Sequence, residues 1–157
     1  MWQRVQTIFL VLIIVVMAVF LFVPIWQETL GAEQTNTLTA FSLIQTGAEA
    51  PLTITFPYLF VGIAAIIVMI VAGYEIVRYD NRLTQLKLGA LNSLLMAVVL
   101  LLSVWFMIDL ENELSPASRG EYQIGLFLPM VAMLLNVFAN RFIRRDEKLV
   151  RSVDRIR

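Results

Sequence analysis

Five polar residues set within or against long apolar runs are the ones with chemistry to argue about. Glu75 stands about one turn from the end of the second run, and Asn92 about one turn into the third. Asn136 and Asn140 share one face of the fourth at i,i+4, and Arg4 opens the first at the same level. In hydrocarbon such groups are costly, and they serve either as interhelical hydrogen-bonding partners or as proton and cation sites. The structural use is favoured: Glu75 is shallow, Arg4 and Arg78 are both near enough in the pattern to pair with it, and no second acid lies at mid-depth. The chain has no His and no Cys, which removes the commonest general base, imidazole ligation and every thiolate site. Ser93 and Ser103 have no His or Lys nearby to activate them. No catalytic, metal or cofactor site is expected, and the chain is not read as an enzyme.

The elements that must position these residues follow from hydropathy. Hydrophobic residues make up 59% of the 157, and mean hydropathy is +0.79. A bilayer core of about 30 Å takes roughly 20 apolar residues as helix. Four stretches meet that length, at about 5–26, 54–77, 88–110 and 122–143. An isolated run in lipid must satisfy its own backbone, so each is expected to be helical. The first exceeds the 7–15 apolar residues of a signal peptide, so an uncleaved helix is expected. The fold expected is an all-α membrane protein: a single transmembrane domain over 1–157, an antiparallel four-transmembrane-helix bundle with the last helix extended into the cytoplasm.

Charge fixes orientation. Of the twelve Lys and Arg residues only Arg119 falls outside the N-terminus, the 78–87 loop and the tail from 141. The outer loop 27–53 carries Glu28, Glu33 and Glu49 and no base. The positive-inside rule then places both termini in the cytoplasm, in a bacterial inner (cytoplasmic) membrane. Net charge is zero because two opposed faces cancel.

The outer loop is long for a compact bundle. Alternating and β-branched residues over 37–44 and 52–56 allow a short hairpin there, with an irregular cap as the alternative. Pro24 and Pro57 are expected near helix ends, and Pro129 about two turns into the fourth helix, where it would kink it. Gly62, Ala65, Ala72 and Gly73 mark faces of the second helix open to close approach, and Gly89 and Ala90 open the third.

The tail 141–157 has no Pro or Gly and is expected to continue the fourth helix. Its docking candidates are Arg144, Arg145, Lys148, Leu149, Arg151, Val153, Arg155 and Ile156. These suit a protein partner or anionic lipid headgroups at the cytoplasmic face, worth about 1 kcal/mol per base near such a surface. Asp146, Glu147 and Asp154 dilute the charge, and no aromatic interleaving accompanies it, so no nucleic acid is expected.

Three strings carry a resemblance. The chain opens Met1-Trp2-Gln3-Arg4-Val5-Gln6-Thr7, its inner loop reads Asn81-Arg82-Leu83-Thr84-Gln85-Leu86-Lys87-Leu88, and its end runs from Ala139-Asn140-Arg141-Phe142-Ile143-Arg144-Arg145 to Arg155-Ile156-Arg157. Together they resemble an uncharacterised family of four-helix integral membrane proteins found mainly in Bacteroidota. The resemblance implies an inner-membrane protein of four spans and brings no activity, ligand or partner. The role expected from the residues is a structural or accessory subunit acting through its cytoplasmic tail. The alternative is a small oligomeric transporter or channel.

Overall fold

The computed structural model describes residues 3–30, 34–47, 51–78, 81–114 and 120–154. Four helices dominate: α1 (Gln3–Phe20), α2 (Leu59–Val77), α3 (Arg82–Leu114) and α4 (Leu128–Asp154). A 3-10 turn over Ile124–Phe127 leads into α4. Between α1 and α2 lie four strands, β1 (Trp26–Leu30), β2 (Gln34–Leu38), β3 (Leu43–Thr46) and β4 (Leu52–Ile54), and between α3 and α4 lies β5 (Glu121–Tyr122).

Each helix packs against two others, α1 and α3 each lying against both α2 and α4. Their buried residues recur with alternating steps of four and three. In α1 these are Gln6, Leu10, Ile13, Met17 and Phe20, and in α2 Val61, Ala65, Val68, Ala72 and Glu75. The stripe of α3 is Gln85, Gly89, Asn92, Met96, Val99 and Ser103, and that of α4 is Pro129, Ala132, Asn136, Ala139 and Ile143. A repeat of 3.5 keeps one seam inward and is the signature of knobs-into-holes packing with a slight left-handed wrap. Residues facing outward are apolar too, Ile70, Leu94, Leu101 and Leu134 among them. Three segments, Leu59–Val77, Arg82–Glu113 and Ile124–Lys148, are long and apolar enough to cross a membrane. The apolar part of α1, Val5–Phe20, is shorter.

The all-α expectation is corrected by a five-stranded antiparallel sheet, in the order β4-β3-β2-β1-β5. The outer loop is its main source, and β5 adds to it from the connection between α3 and α4. In β1 and β2 side chains alternate, with Trp26, Glu28, Asn36 and Leu38 buried. Trp26 pairs with Leu38 across the ladder, and Glu28 with Asn36, whose Nδ2 donates to Glu28 Oε2 at 3.3 Å. Thr39 Oγ1 shapes the β2–β3 turn, donating to the Ser42 carbonyl at 2.8 Å. The sheet caps one end of the helices: Trp26 Nε1 donates to Glu111 Oε1 on α3 at 3.4 Å, and Phe41 lies over Gly62 of α2.

Helix bounds shift for reasons of backbone chemistry. The first helix, expected to reach Trp26, ends at Phe20, because Pro24 lacks an N–H and disfavours helix in the residue before it. The second begins at Leu59 rather than 54, since Leu52–Ile54 joins the sheet. Pro129 is the second residue of α4, where its missing N–H costs little, so the kink expected from it is corrected. α3 outruns its expected 88–110 at both ends, over 33 residues. Gly73 borders open space, so the close approach expected there is corrected, whereas Gly62 and Gly89 are covered.

Candidate functional site

Toward the sheet, the inward stripes of the helices are apolar among the described residues apart from Ser103, whose hydroxyl donates to the Val99 carbonyl at 2.8 Å; the buried Glu28–Asn36 pair belongs to the sheet itself. The opposite end, where α2 finishes and α3 begins, is polar. Gln6, Glu75, Gln85, Asn92 and Asn136 all stand on the inward stripes there, no more than 4% exposed. Every helix contributes at least one of them.

Two groups of contacts organise this polar end. Asn136 Nδ2 reaches across from α4 to α3, donating at 2.7 Å to both the Gly89 carbonyl and Ser93 Oγ. Ser93 in turn donates back to the Gly89 carbonyl at 3.1 Å. Asn140, one turn from Asn136, lies directly over Gly89, where a Cβ would collide with its amide. The absent side chain of Gly89 therefore lets two asparagines of α4 lie against the α3 backbone. The second group joins α2 to α3: Gln85 Nε2 donates to the Glu75 carbonyl at 3.0 Å, near the tight connection between the two helices.

Glu75 itself is fully buried, and among the described residues neither carboxylate oxygen has a hydrogen-bond partner. Both amide atoms of Asn92 and the side-chain oxygens of Gln85, Asn136 and Asn140 are in the same position. The pairing expected between Glu75 and Arg78 is corrected: Arg78 donates from Nε to the Tyr74 hydroxyl at 2.8 Å and stands 5.4 Å from that ring's centroid. The side chain of Arg4 lies outside the described residues. Of the five residues expected to cluster, Asn136 and Asn140 share the Gly89 seam, while Glu75 and Asn92 occupy inward positions on α2 and α3. Gln85 was not anticipated, yet it stands seven residues before Asn92 on one stripe, which is the signal that marks it.

Glu75→Gln keeps the shape and replaces a carboxyl buried without a described partner by an amide. Unfolding of the detergent-solubilised protein is expected to shift by no more than about 1 kcal/mol. A loss of about 3 kcal/mol or more, the size seen when one member of a buried ion pair is removed, would instead assign Arg4 to Glu75.

Beyond the core, α4 continues as one helix to Asp154. Its extension is held to the start of α3 by Arg82 and Asp146, 3.8 Å apart and both largely covered. Arg144, Arg145 and Lys148 are exposed on this extension. The side chains of Leu149, Arg151 and Val153, and Arg155 and Ile156 altogether, lie outside the described residues. No group of three or more His, Cys, Asp or Glu that could hold a metal occurs among the described residues.

No curated protein matches this chain. A family model matches from residue 2 to residue 156, through the apolar helices, the sheet and the basic extension alike, and by it the chain belongs to the family described as domain of unknown function DUF4293.

Proposed function

We propose that this is a four-span protein of the bacterial inner membrane, with both termini in the cytoplasm, serving as a structural or accessory subunit through the basic extension of α4. The observation that carries this reading is the extension itself. α4 runs unbroken well past its apolar part, and the Arg82–Asp146 contact holds it against α3. A held helix presents its charges in fixed order, where a loose tail would lose that order to chain entropy. α1 is read as the fourth span. Its 18 residues reach about 27 Å at 1.5 Å each, close to the hydrocarbon thickness, and it lies side by side with α2 and α4. The sorting of Lys and Arg supplies the orientation.

Reporter fusions test the topology: a C-terminal fusion is expected to be active only if the reporter works in the cytoplasm. Cross-linking in native membranes tests the role. A specific heteromeric product is expected with the full chain and is expected to vanish when residues 146–157 are deleted. Recovery of the lone chain in both cases would overturn the accessory reading.

One observation favours the alternative, a small oligomeric transporter or channel: the buried Glu75 carboxylate among amides that also have acceptors to spare. Proton- or cation-driven flux in reconstituted liposomes that Glu75→Gln abolishes would select it.

A further inference from the structure

A groove of about 830 Å³ runs along the seam of α3 and α4 at their basic end. Its inner part is walled by Ala90 of α3 and Val137 of α4, and its outer part by Leu86, near the start of α3, with Arg141, Arg144, Arg145 and Lys148 of α4. Ser93 and Asn140 line the stretch where the two α4 asparagines cross to Gly89. Arg141, Arg144 and Lys148 follow at i, i+3 and i+7, one stripe on one side of the helix. Among the described residues no acid lines the groove. Asp146 is turned to Arg82, and Glu147 stands outside the lining. Among the described residues no ion pair engages Arg141, Arg144 or Lys148.

From Val137 to Lys148 the helix rises about 16 Å at 1.5 Å per residue. That span joins an apolar depth to a basic rim. A free anion would use only the rim and leave the apolar walls uncovered. A water-soluble acidic segment would have to bring polar backbone against Leu86, Ala90 and Val137. An amphiphile with a negative head and a hydrocarbon tail matches both parts at once.

We propose that the α3–α4 groove binds an anionic phospholipid, with its phosphate between Arg144 and Lys148 and an acyl chain along Leu86, Ala90 and Val137. This rests on the membrane reading above, in which α3 and α4 cross the bilayer with this end at an interface. Occupancy adds a ligand to the face that the accessory role uses, so the lipid would set how the extension is presented.

The test uses the full chain in mild detergent, with lipid adducts counted by native mass spectrometry. Phosphatidylglycerol is expected to bind at least about tenfold better than phosphatidylcholine, and replacing Arg141, Arg144 and Lys148 together by Gln is expected to erase that preference. Val137→Trp fills the apolar part and leaves every charge, so it is expected to lower phosphatidylglycerol binding severalfold. Inorganic phosphate is expected not to displace the lipid. Equal retention of the two lipids overturns the proposal, as does displacement by phosphate. A full effect of the triple variant with none of Val137→Trp also overturns it, because charge at the surface then suffices. Should the triple variant fail to fold, judged by its helical circular dichroism, Val137→Trp decides together with Lys148→Glu, which is expected to lower phosphatidylglycerol binding severalfold and overturns the proposal if it does not. A chain that stays monodisperse without detergent would sink the membrane reading itself, whereas an inserted chain without lipid preference sinks only this proposal.

Discussion

Trp26→Ala is expected to destabilise the protein by about 3–5 kcal/mol, the range for removing a large aromatic side chain from a closed site. Trp26 is fully buried, and it sits where three parts of the fold meet. Its strand pairs with β2 on one side and β5 on the other, opposite Leu38 and Tyr122. Its ring covers Gly120, and its Nε1 donates to Glu111 on α3. Truncation opens a cavity that strands on both sides cannot close without giving up ladder hydrogen bonds. It also removes the link between sheet and helix end. Denaturant unfolding in detergent, followed by near-ultraviolet circular dichroism, measures the loss. A change below about 1 kcal/mol would mean that the sheet adds little to the stability of the helices beneath it.

Gly125→Val is expected to cost about 3 kcal/mol and to lower the yield of monodisperse protein. Gly125 lies in the turn before α4, where its N–H donates to the Pro24 carbonyl at 3.1 Å. A Cβ there would collide with that carbonyl oxygen, and would come within 2.9 Å of the Pro24 carbon and 3.1 Å of the Val23 oxygen. These are backbone atoms, so no rotamer change relieves the contact. The two connections must part, and the neighbouring bond from Gln123 N–H to the Ile25 carbonyl at 3.1 Å goes with them. Gly73→Ala is the matching control. A Cβ at Gly73 meets nothing within 4 Å, and Ala is the better helix former by about 1 kcal/mol. Gly73→Ala is therefore expected to be neutral or stabilising. Equal melting temperatures for the two variants would contradict the close approach of the α1–β1 and β5–α4 connections.

The buried polar residues were partly legible beforehand. Glu75, Asn92, Asn136 and Asn140 stand out because a polar group in an apolar run is rare enough to notice. What they touch was not legible. Asn136 bonds to a backbone carbonyl, at Gly89, and every residue has one, so nothing in the side-chain order points to it. Gln85 was missed because it lies in a charged segment and looks solvated until α3 is seen to begin at Arg82 and bury it. Arg78 looked like a partner for Glu75 by nearness in sequence. It is the cap residue just past the end of α2, with non-helical backbone, and the hydroxyl and ring of Tyr74 take it instead.

The sheet shows the limit more sharply. Alternation in the outer loop allowed a hairpin but could not give five strands. β5 is two residues long and has no strand signal of its own; it exists because α3 and α4 bring Glu121 and Tyr122 alongside Gln27 and Trp26. The same holds for Pro129, whose effect depends on where the helix starts, a boundary set by the preceding turn.

By itself the sequence determined the apolar runs, the sorting of basic residues onto one set of connections, and the unbroken helix that carries the charges of α4 past its apolar part. Those follow from solvent preference and local propensity, which each residue brings with it. The tertiary structure alone decided which side of each helix faces inward, how the polar end of the core is paired, and where the basic groove opens. The physical reason is that these helices are apolar on both faces. Where outside and inside are equally greasy, hydropathy loses its period, and only the fit of neighbouring side chains selects the seam.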